Sequence, residues 1–122
     1  MEKIKIKQTP IIMMRVMDTL SAQPVLRDET TRISYTLYYV TATTKTPVEG
    51  HEDVEIDLDC LRNYLDTECH LWTRDDIGFN FMWTPDTTEY PLFVVRGNYR
   101  LSITFEFDGR NPHTEHVLFN VF

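Results

Sequence analysis

Glycine, cysteine and basic residues are scarce in this chain, and each scarcity excludes a class of function. Only four glycines occur in 122 residues, and all are isolated, so no glycine-rich loop is available to cradle a phosphate. The two cysteines, Cys60 and Cys69, are too few for a disulfide scaffold, and we expect free thiols. Twelve Lys and Arg against nineteen Asp and Glu give a net charge of -7, which argues against direct binding to nucleic acid.

Long apolar runs are also missing. The apolar stretch from Ile11 to Met14 ends at Arg15, far short of the roughly 20 residues that a membrane-spanning helix needs. The sequence therefore predicts neither a secretion signal nor a membrane contact, and we expect a cytoplasmic protein. No Gly/Ser-rich or Pro-rich linker divides the chain, so residues 1–122 are expected to form a single domain.

Signatures of catalysis and of metal binding are absent as well. None of the three serines stands in a Gly-x-Ser-x-Gly sequence. The histidines lack a Cys-x-x-Cys or His-Glu-x-x-His companion, so we expect exposed loop histidines and no metal or other cofactor. These histidines are His51, His70, His113 and His116. The sequence predicts a protein that is not an enzyme.

Aromatic residues and alternating patterns are abundant. Seven Phe, six Tyr and two Trp favour a sheet over a helix bundle. From Asn98 to Phe107, polar and apolar residues alternate without exception, which predicts a strand with one buried face. Further strands are predicted over residues 3–7 (a Lys-guarded edge strand), 11–18, 33–41, 51–58, 79–83, 90–95 and 116–122.

One short helix is predicted after the middle strand. Apolar side chains recur at helical spacing from residue 58 to residue 65, and Asp57 or Asp59 can cap the first turn. We expect the helix to end near Glu68. The final strand is apolar on both faces, so its outer side requires cover from this helix or from another subunit.

About seven short strands with one short helix predict an all-β antiparallel sandwich. The sequence Gly97-Asn98-Tyr99 before the alternating strand resembles the late part of immunoglobulin-like domains, in which Gly-x-Tyr opens the penultimate strand. The resemblance implies an immunoglobulin-like sandwich and no particular function.

Acidic residues cluster between Glu49 and Glu68, where eight of the nineteen acids accompany one basic residue, Arg62. On an alternating strand, Asp53, Glu55 and Asp57 would project from one face, which we expect to be solvated. Two functional hypotheses stay open for this segment. It is either a docking surface for a basic protein or a calcium site of oxygen ligands.

The loop at residues 71–79 carries Trp72 and Arg74, which are typical of binding hot spots. The favoured interpretation is an anchored loop, in which Trp72 covers the end of the sandwich.

We therefore expect a non-enzymatic protein-interaction module, such as an inhibitor or accessory protein that contacts a basic partner. The alternatives are a calcium- or ligand-binding sandwich and an oligomeric, phage-like structural component. The predicted partner-binding residues are Glu52, Asp53, Glu55, Asp57, Trp72 and Arg74.

Overall fold

The alternating segment forms an eleven-residue strand, Gly97–Phe107, in the middle of the larger of two sheets. The structure is a computed structural model, and it describes residues 2–122. This part of the chain also contains two single-turn 3-10 helices, Arg27–Glu29 and Leu58–Cys60. The strands are β1 (Glu2–Ile4), β2 (Ile12–Met14), β3 (Thr30–Val40), β4 (Lys45–Pro47), β5 (Val54–Ile56), β6 (Leu61–Asp66), β7 (Phe79–Trp83), β8 (Gly97–Phe107) and β9 (His113–Val121).

The larger sheet has the order β1, β9, β8, β3, and β4 and β5 both pair with β3. Since β8 pairs with β3 along its whole length, β4 and β5 lie one after the other along the opposite side of β3. The pairing of β1 with β9 is parallel, and all other pairings are antiparallel. Consequently β1 and the β4–β5 segment form the two opposite edges of this sheet.

The smaller sheet, in the order β2, β7, β6, packs on the apolar face of the larger one. Phe81 of β7 meets Phe105 of β8 edge to face, with ring centroids 5.4 Å apart. Inward side chains alternate with outward ones on β8, as the sequence predicts. The most deeply buried apolar side chains come from both sheets and include Val16, Ile33, Leu37, Leu61, Phe81, Ile103, Phe105 and Phe119.

Residues 84–96 contain no strand, yet they contribute to the core. The ring of Phe93 lies 4.9 Å from that of Tyr99 and 5.7 Å from that of Phe119. The strand predicted over residues 90–95 is wrong, because the neighbouring side chains Leu92 and Phe93 are both buried. A regular strand would point consecutive side chains to opposite sides. The Tyr99 hydroxyl donates to the Val95 carbonyl at 2.6 Å, which ties the end of this segment to β8.

The predicted helix after residue 57 is also wrong. Asp57 does cap a turn, since its carboxylate accepts the Asp59 N–H at 2.9 Å, but the turn ends at Cys60. The chain then becomes β6, in which Leu61 pairs with Phe81. A helix this short has only marginal stability by itself, whereas a strand at this position pairs with the second side of β7. The outer side of β9 therefore receives no helix, and Leu118 is half-exposed.

A fully buried polar side chain, Asn80, holds two irregular segments against β7. Its amide oxygen accepts the Val16 N–H at 2.7 Å, and its amide nitrogen donates to the carbonyls of Val16 and Val25 at 3.0 and 2.9 Å. Buried backbone groups need such partners, because an unpaired one costs about 1–3 kcal/mol. Asn80 thus supplies hydrogen bonds that no neighbouring strand provides.

The structure confirms the all-β sandwich and the short N-terminal edge strand. It contains nine strands in residues 2–122 rather than about seven, because β4 and β6 form where no strand is predicted, whereas residues 90–95 form none. The immunoglobulin-like strand order stays a prediction.

Candidate protein-interaction surface

The β4–β5 edge is interrupted by a tight turn over residues 48–51. The Val48 N–H donates to the Leu37 carbonyl, and the Leu37 N–H donates to the His51 carbonyl, both at 2.8 Å. Between them the His51 N–H donates to the Val48 carbonyl at 3.0 Å, and Gly50 has a φ of 80°. A positive φ at the third residue of a turn favours glycine. The turn therefore leaves the sheet edge and returns to it.

His51 anchors this turn from inside, so the prediction of an exposed loop histidine is wrong for it. Its side chain is 2% exposed, with Nε2 2.8 Å from the Tyr90 carbonyl and Nδ1 2.6 Å from the Tyr35 hydroxyl. A carbonyl can only accept, so Nε2 carries a hydrogen in this contact. Burial, helped by the charge of Asp86, raises the pKa of Tyr35 to about 12.

Exposed carboxylates surround the turn and β5. We call this surface the acidic edge, and it comprises Glu49, Glu52, Asp53, Glu55, Asp57 and Asp59. Two members have cationic partners. Asp53 lies 3.3 Å from Arg32, which also pairs with Glu106 at 3.2 Å, and Asp59 pairs with Arg27. Hydrogen bonds to Glu106 and Asp53 raise the pKa of Arg32.

The other four members have no basic partner among residues 2–122 within ion-pair distance. Glu55 lies opposite Ser34 on the side of the sheet that faces away from the core. The prediction that Asp53, Glu55 and Asp57 share one strand face is wrong, because β5 spans only residues 54–56. Asp53 has a φ of 49° before it, and Asp57 caps the turn after it. The carboxylates of Asp53, Glu55 and Asp57 therefore project from the edge in different directions.

Within residues 2–122, no group of three or more His, Cys, Asp or Glu side chains is arranged to hold a metal ion. On β9, His113 pairs with Glu115 at 2.8 Å and His116 contacts Ser102 at 2.8 Å.

The Trp72 loop is anchored, as the sequence favours. Asp75 Oδ1 accepts the Trp72 Nε1–H at 3.2 Å and the N–H groups of Ile77 and Gly78 at 3.0 and 3.1 Å. Arg15 lies 2.9 Å from Asp75 Oδ2. Partial desolvation opposes ionisation of Asp75, but the hydrogen bonds from Arg15 and from the loop outweigh it and lower the pKa to about 2.

Arg74 lies away from the acidic edge. Its guanidinium is 5.3 Å from the centre of the Trp72 ring and 3.5 Å from Glu2 of β1. Because β1 forms the other edge of the larger sheet, the structure does not bring the six predicted residues together. Glu52, Asp53, Glu55 and Asp57 share one surface, and Trp72 and Arg74 belong to another.

Beside Trp72 and Arg74 lies a cavity of about 640 Å³ between β2 and β9. Met13, Met14 and Val117 contribute to its walls. It lies beside residues 115–118 of β9, whereas the described part of β1 pairs with residues 119–121. No sequence pattern indicates this cavity.

No helix in residues 2–122 has the length and apolar character that crossing a bilayer requires. Comparison of the chain with protein-family models, with curated proteins and with solved structures finds no match in any of the three.

Proposed function

We propose that this protein is a non-enzymatic interaction module that binds a basic surface or segment of a partner protein through the acidic edge. The observation that carries the proposal is a group of four exposed carboxylates without a cationic partner at ion-pair distance in the part of the chain that the structure describes, namely Glu49, Glu52, Glu55 and Asp57. A partner that supplied the missing cations would be steered towards this edge and aligned on it.

The distribution of arginine supports the proposal. Six of the eight arginines form ion pairs with carboxylates, so most guanidinium charge is neutralised within the fold. Within residues 2–122, Arg32 and Arg27 each pair with one of the six acids of the acidic edge, and one lysine, Lys45, lies on the adjoining strand β4. Negative potential is therefore concentrated on this side of the sheet, where an inhibitor or accessory protein would cover a basic surface.

The surroundings of the edge suit docking. β5 pairs only with β3, and His51 and Tyr90 hold the preceding turn rigidly. A partner therefore meets a surface that loses little conformational entropy on binding. The proposal includes a cytoplasmic setting, which suits the free thiols of Cys60 and Cys69.

A labelled ten-residue oligolysine peptide is a direct probe of the acidic edge. We expect it to bind at low ionic strength, with a dissociation constant that rises steeply with salt. The variant Glu52→Gln/Glu55→Gln/Asp57→Asn should bind about tenfold more weakly by fluorescence anisotropy, because about 1.4 kcal/mol of attraction is lost.

The matched control is Glu68→Gln/Asp76→Asn/Asp108→Asn, which removes the same charge from exposed positions elsewhere. Both variants change the net charge from -7 to -4, that is, -7 + 3. At about 0.1 M salt, where the Debye length is about 10 Å, the control should bind about as well as the parent, since exposed charges beyond that distance contribute little. Equal weakening by the two variants would show that the peptide senses only net charge, and the proposal would fail.

A further inference from the structure

The edge of the larger sheet that lies opposite the acidic edge is basic. Lys3, Lys5 and Lys7 are all exposed there, and none forms an ion pair among residues 2–122. We call these three residues the basic edge. They are three of the four lysines in the chain, and the fourth, Lys45, lies on β4 at the other edge. Most unpaired lysine charge therefore lies at the edge opposite the unpaired carboxylates.

Both edges have a strand side without a partner in the monomer. β1 pairs only with β9, and β5 pairs only with β3. The ladder at the basic edge continues past Ile4, because the Ile6 N–H donates to the Phe122 carbonyl at 2.8 Å. Unpaired strand sides are templates for another strand.

Charge decides which contact between two copies is possible. Two basic edges repel each other, and so do two acidic edges, which disfavours a symmetric pair. A basic edge next to an acidic edge is attractive. The charges that make each edge repel an identical edge therefore also make it complementary to the other edge.

Strand direction and side-chain orientation agree with this contact. β1 runs parallel to β9 and β3, whereas β5 runs antiparallel to β3. A copy translated along the sheet therefore brings its β1 antiparallel to the β5 of its neighbour. Lys3 lies beside Asn120 on the side away from the core, and Glu55 lies on that same side beside Ser34.

The apolar side chains match as well. Ile4 and Ile56 are buried and Val54 is half-buried, and all three lie on the core side of their strands. With Lys3 opposite Glu55, Ile4 of one copy would stand opposite Val54 of the next. Cross-strand pairs of opposite charge and of apolar residues both stabilise a sheet, by about 0.2–1 kcal/mol each.

We propose that the partner of the acidic edge is the basic edge of a second copy of this chain, and that the copies associate head to tail through β1 and β5. The inference rests on the proposed function of the acidic edge and names its partner. Because this contact joins different surfaces, it leaves a free edge at each end and generates open chains or a ring. Two short edges held mainly by charge give a weak, salt-sensitive association.

Sedimentation velocity over a range of concentrations tests the proposal. The parent should sediment faster as its concentration rises at about 20 mM salt, and it should be monomeric at about 0.5 M salt, where the Debye length falls to a few ångströms. The variant Lys3→Glu/Lys5→Glu/Lys7→Glu has two acidic edges, and Glu52→Lys/Glu55→Lys/Asp57→Lys has two basic ones. Each variant alone should be monomeric under all conditions.

An equimolar mixture of the two variants should associate again, because each supplies the edge that the other needs. A chain that carries all six changes keeps the net charge at -7, since -7 - 6 + 6 = -7. It should self-associate like the parent, which separates the effect of the edges from that of net charge. Equal urea midpoints would establish that the variants are folded.

A parent that stays monomeric at low salt and high concentration would overturn this inference, and so would a mixture or six-residue swap that fails to associate. If oligolysine still bound the acidic edge in that case, the proposed function would stand with a different basic partner. If neither oligolysine nor a second copy bound, both proposals would fall.

Discussion

One carboxylate, that of Asp75, holds the loop of residues 71–79 against β2. It accepts hydrogen bonds from the Trp72 indole and from two N–H groups of its own loop, and Arg15, the residue directly after β2, also binds it. The Trp72 ring packs 5.4 Å from the ring of Phe79. A single ionised side chain thus joins three parts of the chain.

The pH dependence of stability should report this contact. The pKa of Asp75 is about 2 in the folded protein against 3.8 as its ordinary value. The unfolded chain therefore binds the proton more readily, so the stabilisation is complete above about pH 4 and is lost as the pH falls towards 2. In thermal melts, Asp75→Asn should lower the melting temperature at pH 7, and its curve should approach that of the parent near pH 2.

The neighbouring Asp76 provides the control, since it is exposed and makes no side-chain hydrogen bond within residues 2–122. Asp76→Asn should leave the parent's acid dependence in place. Parallel curves for the parent and Asp75→Asn between pH 4 and pH 2 would contradict the role assigned to Asp75.

For single residues, the sequence predicts which side chains are buried better than it predicts their hydrogen-bond partners. Alternation along β8 identifies Tyr99, Leu101, Ile103, Phe105 and Phe107 as inward residues. The first four are buried, and Phe107 is partly buried. The same reasoning cannot find the bonds of Asn80, because its partners lie 55 and 64 residues away in segments without a pattern.

Among the elements, the turn before β5 shows how a loop residue sets the shape of an edge. Gly50 lies directly under the ring of Tyr90, whose carbonyl is held by His51. A Cβ at position 50 would lie 2.2 Å from Tyr90 Cγ. The turn therefore requires glycine for two reasons, its positive φ and the close approach of the ring.

The substitution Gly50→Ala should destabilise the protein through both effects. Left-handed backbone costs a residue with a Cβ about 1–2 kcal/mol, and displacing the ring adds about 1–3 kcal/mol. Gly109→Ala is a matched control, because Gly109 has a φ of 79° but no atom within 4 Å of the added methyl group. Urea unfolding should show the larger loss for Gly50→Ala, and equal losses would mean that the ring yields freely.

Local sequence patterns predict secondary structure least well where an element forms by pairing with a segment that is distant in the chain. The apolar side chains of residues 58–65 recur at helical spacing. The segment nevertheless forms the strand β6, because it pairs with the otherwise free side of β7. Tyr64, which the helix would have buried, is 61% exposed. The period in the sequence was compatible with both structures, and only the second sheet decides between them.

At the scale of the whole molecule, two sheets of unequal size face each other, and residues 84–96 add apolar cover to the larger one. Phe93 is 4% exposed although it lies in no strand. It contacts rings on β8 and β9. The irregular segment is therefore part of the core.

Phe93→Ala should consequently cost about 3–5 kcal/mol of unfolding free energy, as for a core phenylalanine. Phe122→Ala removes the same atoms from a side chain that is 49% exposed, and it should cost under about 1 kcal/mol. Urea midpoints at a common m-value would measure both changes. Similar losses would show that residues 84–96 lie over the sheet without supporting it.

The charge pattern was partly visible in the sequence. Clustering between residues 49 and 68 predicts an acidic surface, and the lysines at residues 3–7 predict a guarded edge strand. Their placement at opposite ends of one sheet depends on the order β1, β9, β8, β3, β5. That order is set by pairings between residues far apart in the chain, which no local pattern encodes.

The parallel pairing of β1 with β9 also fixes a sequence of events during synthesis. β1 leaves the ribosome before every other strand, but its only partner in the sheet is β9, which is made after all of them. The pairs β3–β5 and β7–β6 can form while β9 is still missing, whereas β1 has to wait. Throughout this delay β1 lacks the strand with which it pairs in the folded protein.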